Sequence, residues 1–275
     1  MKRKNRKLFI YFRIAMLLLM AFALLRLAAP KHVAEDATPA ETDTTQLIPA
    51  KLSDRPEQLL QREGYTLSYN KQWRQANWVY WRLTAERTVG TFNEKNFQED
   101  FEVPTPRPTK WDYYNSGFDR GHMCPAADNK YSEQARSDSY LYTNMSPQNH
   151  QLNAGDWNTL EMKCRDWARR YGEIHIVCGP LFTSQHPKTI GRSRVAVPDA
   201  YFKAVFIMQG SGGKPDGIAF VMPNKAGHQP LKNYAISIDS LERLTAIDFF
   251  ASLDDAVEDK VEAQQTARFL TDSRR

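Results

Sequence analysis

The length and charge of the chain narrow its class before any motif is considered. It has 275 residues, of which 41% are hydrophobic and 25% are charged, and this composition suits one globular domain with additional segments. The formal net charge is +5, but seven of the 37 basic residues and none of the 32 acidic residues lie in the first 30 positions. The overall basicity therefore gives no evidence of nucleic-acid binding, and any surface for a polyanion must be built locally by folding.

The N-terminal segment, residues 1–30, is typical of a membrane anchor or a signal sequence. Five of the first seven residues are basic, and residues 8–25 are apolar apart from Arg13, a length near the lower limit of about 17–25 residues for spanning a bilayer. Because basic flanks stay in the cytoplasm, we expect the rest of the chain to be exported, and so periplasmic or extracytoplasmic. We favour an anchor at residues 8–25, since no clean cleavage site follows; the alternative is a cleaved signal and a secreted protein.

Changes in composition divide the remaining chain into three parts. Residues 31–55 are rich in Ala, Thr, Asp, Glu and Pro and predict a flexible linker. Residues 56–252 predict the globular domain. Residues 253–275 are acidic and rich in Ala, which is typical of an exposed helical tail or a disordered one.

Runs of aromatic and β-branched residues predict five strands, and two periodic segments predict helices. The first helix, residues 153–171, repeats apolar side chains every three or four positions and is followed by Gly172, a helix stop. The second helix covers residues 237–250, with an aliphatic stripe from Leu241 to Ile247. Strands and helices do not alternate regularly, so the sequence favours an α+β fold over a doubly wound sheet. The predicted strands are residues 65–69, 78–84, 174–178, 201–208 and 218–222.

Cys124, Cys164 and Cys178 are the only cysteines of the sequence. They form no CxxC pair, which argues against a zinc site. In an exported protein Cys164 and Cys178 can form a disulfide and leave Cys124 unpaired. Free, buried thiols are an equally good interpretation, so both stay open.

The first chemically informative segment is residues 113–123, which contain the sequence DRGH from Asp119 to His122. Histidine suits proton abstraction because its ordinary pKa, about 6.5, lies near neutral pH. Arginine suits phosphate because its planar guanidinium makes two charge-assisted hydrogen bonds. In the alternative interpretation, Asp119 simply pairs with Arg120, and His122 is a core residue whose hydrogen bonds are satisfied.

A second segment, residues 144–165, carries oxygen donors and a further arginine. Asn153 opens the predicted helix, and Glu161 and Arg165 lie on it four residues apart. In a regular α-helix Asn153 lies about 80° from Glu161, so the two can share one site. Amide and carboxylate oxygens with water make the hard-oxygen surroundings that Mg²⁺ prefers. The alternative is an N-cap at Asn153 and a solvated Glu161–Arg165 ion pair.

Together the two segments resemble the signature of the DNA/RNA non-specific endonucleases, and the resemblance covers about residues 60–250. It implies an α+β, ββα-metal nuclease fold with a central, mainly antiparallel sheet flanked by helices. It also implies a metal-dependent, sequence-non-specific endonuclease that hydrolyses DNA and RNA. The matching positions, in order, are Ser116, Gly117, the DRGH sequence, Pro125, Ala126, Ala127, Asp128, Asn144, Ser146, Pro147, Gln148, Leu152, Asn153, Trp157, Leu160, Glu161, Arg165, Val197, Pro198, Tyr201, Lys203, residues 241–245 and residues 248–250.

The same resemblance implies a role for each site residue. His122 would act as the general base on water, and Asn153 would bind one divalent ion, Mg²⁺ or alternatively Mn²⁺. Glu161 would hold water molecules around that ion. Phosphate contacts are implied for Arg120 and Arg165, and a positioning role for Asn144.

Two further functions stay open beside the nuclease. A phosphodiesterase acting on another phosphate ester would use the same chemistry, whereas a silent nucleic-acid-binding module would need no base such as His122. Trp73, Trp78 and Trp81 are candidates for stacking on bases, but aromatic residues on strands are more often core residues. The sequence leaves the oligomeric state open, with a homodimer as one candidate.

Overall fold

A computed structural model describes residues 47–93, 95–263 and 270. The predicted membrane segment, residues 1–30, and the first part of the predicted linker lie outside these ranges. Within them, no helix combines the length and the apolar character needed to cross a membrane.

The described residues form a central sheet and two two-stranded ribbons. The strands are β1 Gln58–Gln61, β2 Thr66–Asn70, β3 Gln75–Thr84, β4 Asp119–His122, β5 Met145–Gln148, β6 Glu173–Leu181, β7 Thr189–Ile190, β8 Val195–Ala196, β9 Ala200–Ile207, β10 Asp216–Pro223 and β11 Ala235–Ile236. Seven of them form the sheet, in the order β1-β2-β3-β6-β9-β10-β11, and each neighbouring pair is antiparallel. The ribbons are β4-β5 and β7-β8.

Six α-helices accompany these strands in the described ranges. They are α1 Lys110–Tyr113, α2 Glu133–Asp138, α3 His150–Leu152, α4 Asn158–Tyr171, α5 Ile238–Thr245 and α6 Asp255–Glu262. A π-helical turn, Asn153–Trp157, joins α3 to α4. The predicted α+β fold with a mainly antiparallel sheet flanked by helices is confirmed.

Both faces of the sheet are buried, and each face has its own apolar cluster. Successive side chains of a strand point to opposite faces, so Val79 and Trp81 of β3 join the cluster under α4, whereas Trp78 and Tyr80 join the cluster under α5. Strand β9 is buried along its whole length, which explains why its sequence alternates only roughly. Trp78 and Trp81 are therefore core residues, as expected.

The first predicted helix is interrupted near its start. Helical structure begins at His150, earlier than predicted, and Gly155 leaves the helical conformation at φ −102° and ψ −108°. Gly172, with φ +86°, ends α4 as predicted. The predicted angle of about 80° between Asn153 and Glu161 holds only for a regular α-helix. The chain is kinked at Gly155, between these two residues, so that angle does not apply.

The second predicted helix, residues 237–250, is too long. Helix α5 ends at Thr245 because Ala246 adopts the left-handed conformation, with φ 54°. The predicted aliphatic stripe is also only partly buried, since Leu244 is 61% exposed. Beyond the helix, the chain turns back and fills the core with two aromatic side chains, Phe249 and Phe250.

All three thiols are free and buried, so the free-thiol interpretation is confirmed. The Cys178 Sγ atom donates to the Met123 carbonyl at 3.2 Å. That contact ties β6 to the segment that follows β4.

Residues on both sides of the predicted globular domain pack against it. Leu47 is fully buried and Leu52 is 7% exposed, and the Ala50 amide donates to the Asp248 carbonyl at 2.9 Å. Residues 47–55 are therefore packed chain rather than linker. At the other end, Val261 of α6 is 1% exposed in the cluster under α5, so the predicted acidic tail begins with a packed helix.

Removing residues 1–55 should destabilise the domain far more than removing residues 1–46. The longer deletion exposes the surface that Leu47 and Leu52 cover, and each buried leucine contributes about 1.5–3 kcal/mol. We expect a loss of about 3–5 kcal/mol in the free energy of unfolding, measured by urea titration of both truncated proteins. Equal stability of the two would contradict the packing of residues 47–55.

Candidate functional site

The two informative sequence segments meet in the β4-β5 ribbon. His122 lies opposite Met145 and Asp119 lies opposite Gln148 in an antiparallel register. The chain then passes directly into α3, the π-helical turn and α4. Two strands and the following helix thus gather the predicted site residues into a ββα arrangement.

Close packing across the ribbon requires a glycine at position 121. A Cβ atom there would lie 2.2 Å from Oε1 and 2.7 Å from Cβ of Gln148. Gln148 is fully buried, so its side chain has no free volume into which it can move. Gly121 therefore lets β5 approach β4 and fixes Arg120 and His122 on either side of the contact.

Asn153 is not the helix cap. The N-cap is Asn149, whose Oδ1 accepts from the amides of Gln151 and Leu152. Asn153 instead donates from Nδ2 to Asp119 Oδ2 at 2.9 Å. This bond connects the first segment with the second and leaves the amide oxygen of Asn153 without a partner among the described residues. An oriented amide oxygen of this kind is a suitable ligand for a hard divalent ion.

His122, the last residue of β4, packs against two aromatic rings. The ring of Tyr140 meets it edge-on at 5.0 Å, and the ring of Phe97 lies 5.8 Å away. The Nε2 atom is buried and has no hydrogen-bond partner among the described residues. Burial, with the charges of Arg136 and Arg120, lowers the pKa of His122 to about 4. The imidazole is therefore neutral at neutral pH and able to accept a proton.

An open cleft of about 620 Å³ runs beside the ribbon and reaches Arg120 and Asn153. Arg120 is exposed, and its guanidinium carbon lies 4.0 Å above the Phe97 ring. The Asp119–Arg120 pairing of the alternative interpretation does not form, because Asp119 binds Asn153 and His150 instead. Arg120 is thus free to face an anion in the cleft.

Two exposed aromatic residues form the outer wall of this cleft. Trp111 is 66% exposed and Tyr114 is 69% exposed, and their rings meet edge-on at 6.2 Å. The Lys110 ammonium lies 4.8 Å from the Trp111 ring centroid. Large apolar rings left in water beside cationic groups are typical of surfaces on which nucleobases stack.

Glu161 lies in α4 close to a buried lysine. Burial raises the pKa of the Glu161 carboxyl to about 7, while the charge of Lys203 lowers it. Lys203 is fully buried, with its ammonium 4.4 Å from the Trp157 ring centroid and 5.1 Å from that of Trp81. No hydrogen-bond partner satisfies its Nζ atom among the described residues. Lys203 is therefore a buried cation that supports the ionised form of Glu161.

Arg165 has a partner that neither interpretation of the sequence predicted. Its Nη1 lies 2.9 Å from Oδ1 of the buried Asp128, and no Glu161–Arg165 ion pair forms in the described chain. Asp128 also accepts from the Trp81 indole at 3.1 Å. The Arg165 side chain is only 12% exposed, so its geometry favours holding Asp128 in place over contacting phosphate.

Asn144 acts on the backbone that leads into the site. Its Oδ1 accepts from the Cys124 amide, and its Nδ2 donates to the carbonyls of Cys124 and Ser139, each at 2.9 Å. Asn144 is fully buried. It positions the chain after His122 and does not reach the cleft.

No role was predicted from the sequence for four residues of the site, although Asp128 and Lys203 lie at positions that match the family. A signal existed for Asp128 and Lys203, because a charged residue inside an apolar or signature segment is unusual unless it is paired. Trp111 and Tyr114 gave no such signal, since aromatic residues at a helix are usually buried.

The fold and the site define the ββα class of metal-dependent nucleases. Residues 45–256 match the family described as DNA/RNA non-specific endonuclease. The chain belongs to this family, and the resemblance noted in the sequence is confirmed.

Curated relatives and a solved structure agree with this assignment. Mitochondrial endonuclease G of Homo sapiens is 35% identical, with 71% of this chain and 70% of that protein covered. Mitochondrial nuclease EXOG of Xenopus laevis is 35% identical over 70% of this chain, but the match spans only 58% of that protein. Nuclease C1 of Cunninghamella echinulata is also 35% identical, over 71% and 83% of the two chains. A chain from the crystal structure of an EndoG/EndoGI complex aligns with a TM-score of 0.69 at 25% identity, covering 76% of this chain and 92% of that chain.

Replacing Asn144 by alanine should destabilise the domain. The change leaves one amide and two carbonyls of the buried backbone unpaired, at about 1–3 kcal/mol each. We expect the free energy of unfolding to fall by about 3–5 kcal/mol in a urea titration. The control is Asn158→Ala on the exposed start of α4, which should change stability by less than about 0.5 kcal/mol; similar losses in the two variants would refute the role of Asn144.

Proposed function

We propose that the chain is a metal-dependent, sequence-non-specific endonuclease that hydrolyses phosphodiester bonds of DNA and RNA, with His122 as the general base. The observation that carries the proposal is the bond between Asp119 and Asn153, which sets an oriented amide oxygen next to the strand that ends at His122. Membership of the family supports the same activity. Because the match spans only part of the EXOG relative, activity and substrates are proposed from the site as well.

The donor set fits a hard divalent ion. Asn153 would provide the direct protein ligand, and Glu161 would hold water molecules of the ion's shell. When bound, the ion supplies electrophilic stabilisation of the charged phosphorane-like transition state and of the departing oxygen. Mg²⁺ is the ion that we propose, with Mn²⁺ as the alternative, because both prefer oxygen ligands.

Each residue around the ion has its own role in the proposed reaction. Neutral His122 takes the proton of the attacking water, and Arg120 binds a phosphate oxygen from the cleft. Arg165 holds Asp128, and Lys203 keeps negative charge on Glu161. Contacts to phosphate and sugar carry no sequence information, so both DNA and RNA are suitable substrates.

Location and assembly are proposed from the sequence. The basic and apolar residues 1–30 favour an exported, membrane-anchored protein, with a secreted one as the alternative. A homodimer is the assembly that we propose to test, by light scattering of the purified protein.

Plasmid DNA and total RNA should both be degraded in the presence of Mg²⁺, and EDTA should abolish the activity. His122→Ala removes the base, so kcat/KM should fall by about 10²–10⁴. Asn153→Ala removes the ligand, so its activity should require a higher Mg²⁺ concentration. Gel assays and an oligonucleotide with a fluorophore and quencher measure these effects.

A control for these variants is His186→Ala, which changes an exposed histidine outside the cleft and should retain full activity. Full activity in His122→Ala would exclude the mechanism. Hydrolysis of bis(4-nitrophenyl) phosphate without cleavage of DNA or RNA would favour the other phosphodiesterase function instead.

Trp111→Ala should weaken substrate binding more than catalysis. Stacking of one base on an aromatic ring contributes about 1–3 kcal/mol, so we expect KM for single-stranded DNA to rise roughly 10-fold with kcat little changed. Phe101→Ala, which removes another exposed aromatic ring that lies outside the cleft, is the matched control. Equal KM values in both variants would exclude Trp111 from the substrate surface.

A further inference from the structure

Three carboxyl groups converge between α5 and α6, under the sheet face opposite α4. Asp239 and Glu242 belong to α5, and Glu262 belongs to the last turn of α6. Each offers one oxygen, and these oxygens all lie within 4.8 Å of one another. The cluster belongs to the layer of α5, whereas the predicted catalytic residues belong to the ribbon and the layer of α4.

Glu262 supplies a second observation. Its side chain is buried, with 7% of the residue exposed, and its Oε1 atom has no hydrogen-bond partner within the part of the chain that the structure describes. A buried carboxylate oxygen without a partner is strongly unfavourable. Since this oxygen belongs to a carboxyl that faces two others, a proton or a cation must compensate the charge.

The charged groups that raise the pKa of Glu262 are all carboxylates, and so they carry negative charge like the cluster itself. Burial raises the pKa of the Glu262 carboxyl to about 9. Smaller contributions in the same direction come from the negative charges of Glu242, Glu258, Asp239 and Asp248. Burial raises the pKa of Glu242 to about 7.

We propose that Asp239, Glu242 and Glu262 form a binding site for a hard divalent cation, of which Ca²⁺ is the best match. Ca²⁺ binds oxygens at about 2.3–2.6 Å, so two ligands of one ion lie at most about 5 Å apart, and the three oxygens meet this limit. The set contains only carboxylates, the donors that Ca²⁺ prefers over nitrogen or sulfur. Glu242 uses one carboxylate oxygen, Oε1, to accept from the Phe249 amide at 2.8 Å, and its other oxygen is available for the cation.

The ion would fasten the C-terminal helix to the domain. Helix α6 packs on β10, where a Cβ atom at Gly217 would meet Val261 at 2.5 Å and Ile238 at 2.9 Å. These two side chains belong to α6 and α5, so the helices already converge on one point of the sheet. A cation between their carboxylates replaces mutual repulsion by a shared attraction. The site is structural, and its effect is on stability.

Two measurements separate this site from the catalytic one. The first is thermal unfolding at about pH 8 with and without Ca²⁺, carried out in Asn153→Ala protein so that the catalytic ion does not contribute. At a concentration about 100-fold above Kd, Ca²⁺ should raise the Tm by roughly 5–10 °C. Adding Glu262→Gln should abolish the rise, whereas adding Asp255→Asn, which removes an exposed charge from the same helix, should preserve it.

The second measurement is equilibrium dialysis of the otherwise unchanged chain with radioactive Ca²⁺. Glu262→Gln should bind one ion fewer than the parent, whether or not Asn153 also holds an ion. The proposal is overturned if Ca²⁺ leaves the Tm unchanged, or if Glu262→Gln binds as many ions as the parent. In that case no cation occupies the cluster.

Discussion

The antiparallel contact between β4 and β5 is the constraint on which the site depends. It joins two segments that lie about twenty residues apart in the sequence, and it tolerates no side chain at Gly121. Once the strands are paired, Asp119 reaches Asn153 across the ribbon. A single backbone register therefore determines where the imidazole, the guanidinium and the amide oxygen lie relative to one another.

A buried group of charges forms a second layer behind these residues. Lys203 lies between two indole rings, and Asp128 is held by Arg165 and Trp81. Burying charge is unfavourable unless each charge has partners, so the group also restricts the conformations of α4. Glu161 gains its surroundings from this layer, and its position follows from the core rather than from solvent contacts.

The sequence predicted the α+β class, the five long strands and the ordered signature, because these depend on local patterning and on residue types that chemistry requires. It did not predict the kink at Gly155 or the left-handed Ala246, because packing decides such backbone conformations. Arg165 was expected to contact phosphate or, in the alternative interpretation, to pair with Glu161, yet its partner Asp128 lies 37 residues away. Leu47 was placed in a linker because its burial depends on Tyr80, whose hydroxyl accepts from the Leu47 amide at 3.1 Å.

Both edge strands of the central sheet are short. Edge β1 has four residues, and edge β11 has two. Short edges present few unpaired backbone N–H and C=O groups to a strand from another molecule. In the described residues, these two edge strands therefore offer little backbone to which a strand of a neighbouring copy can pair.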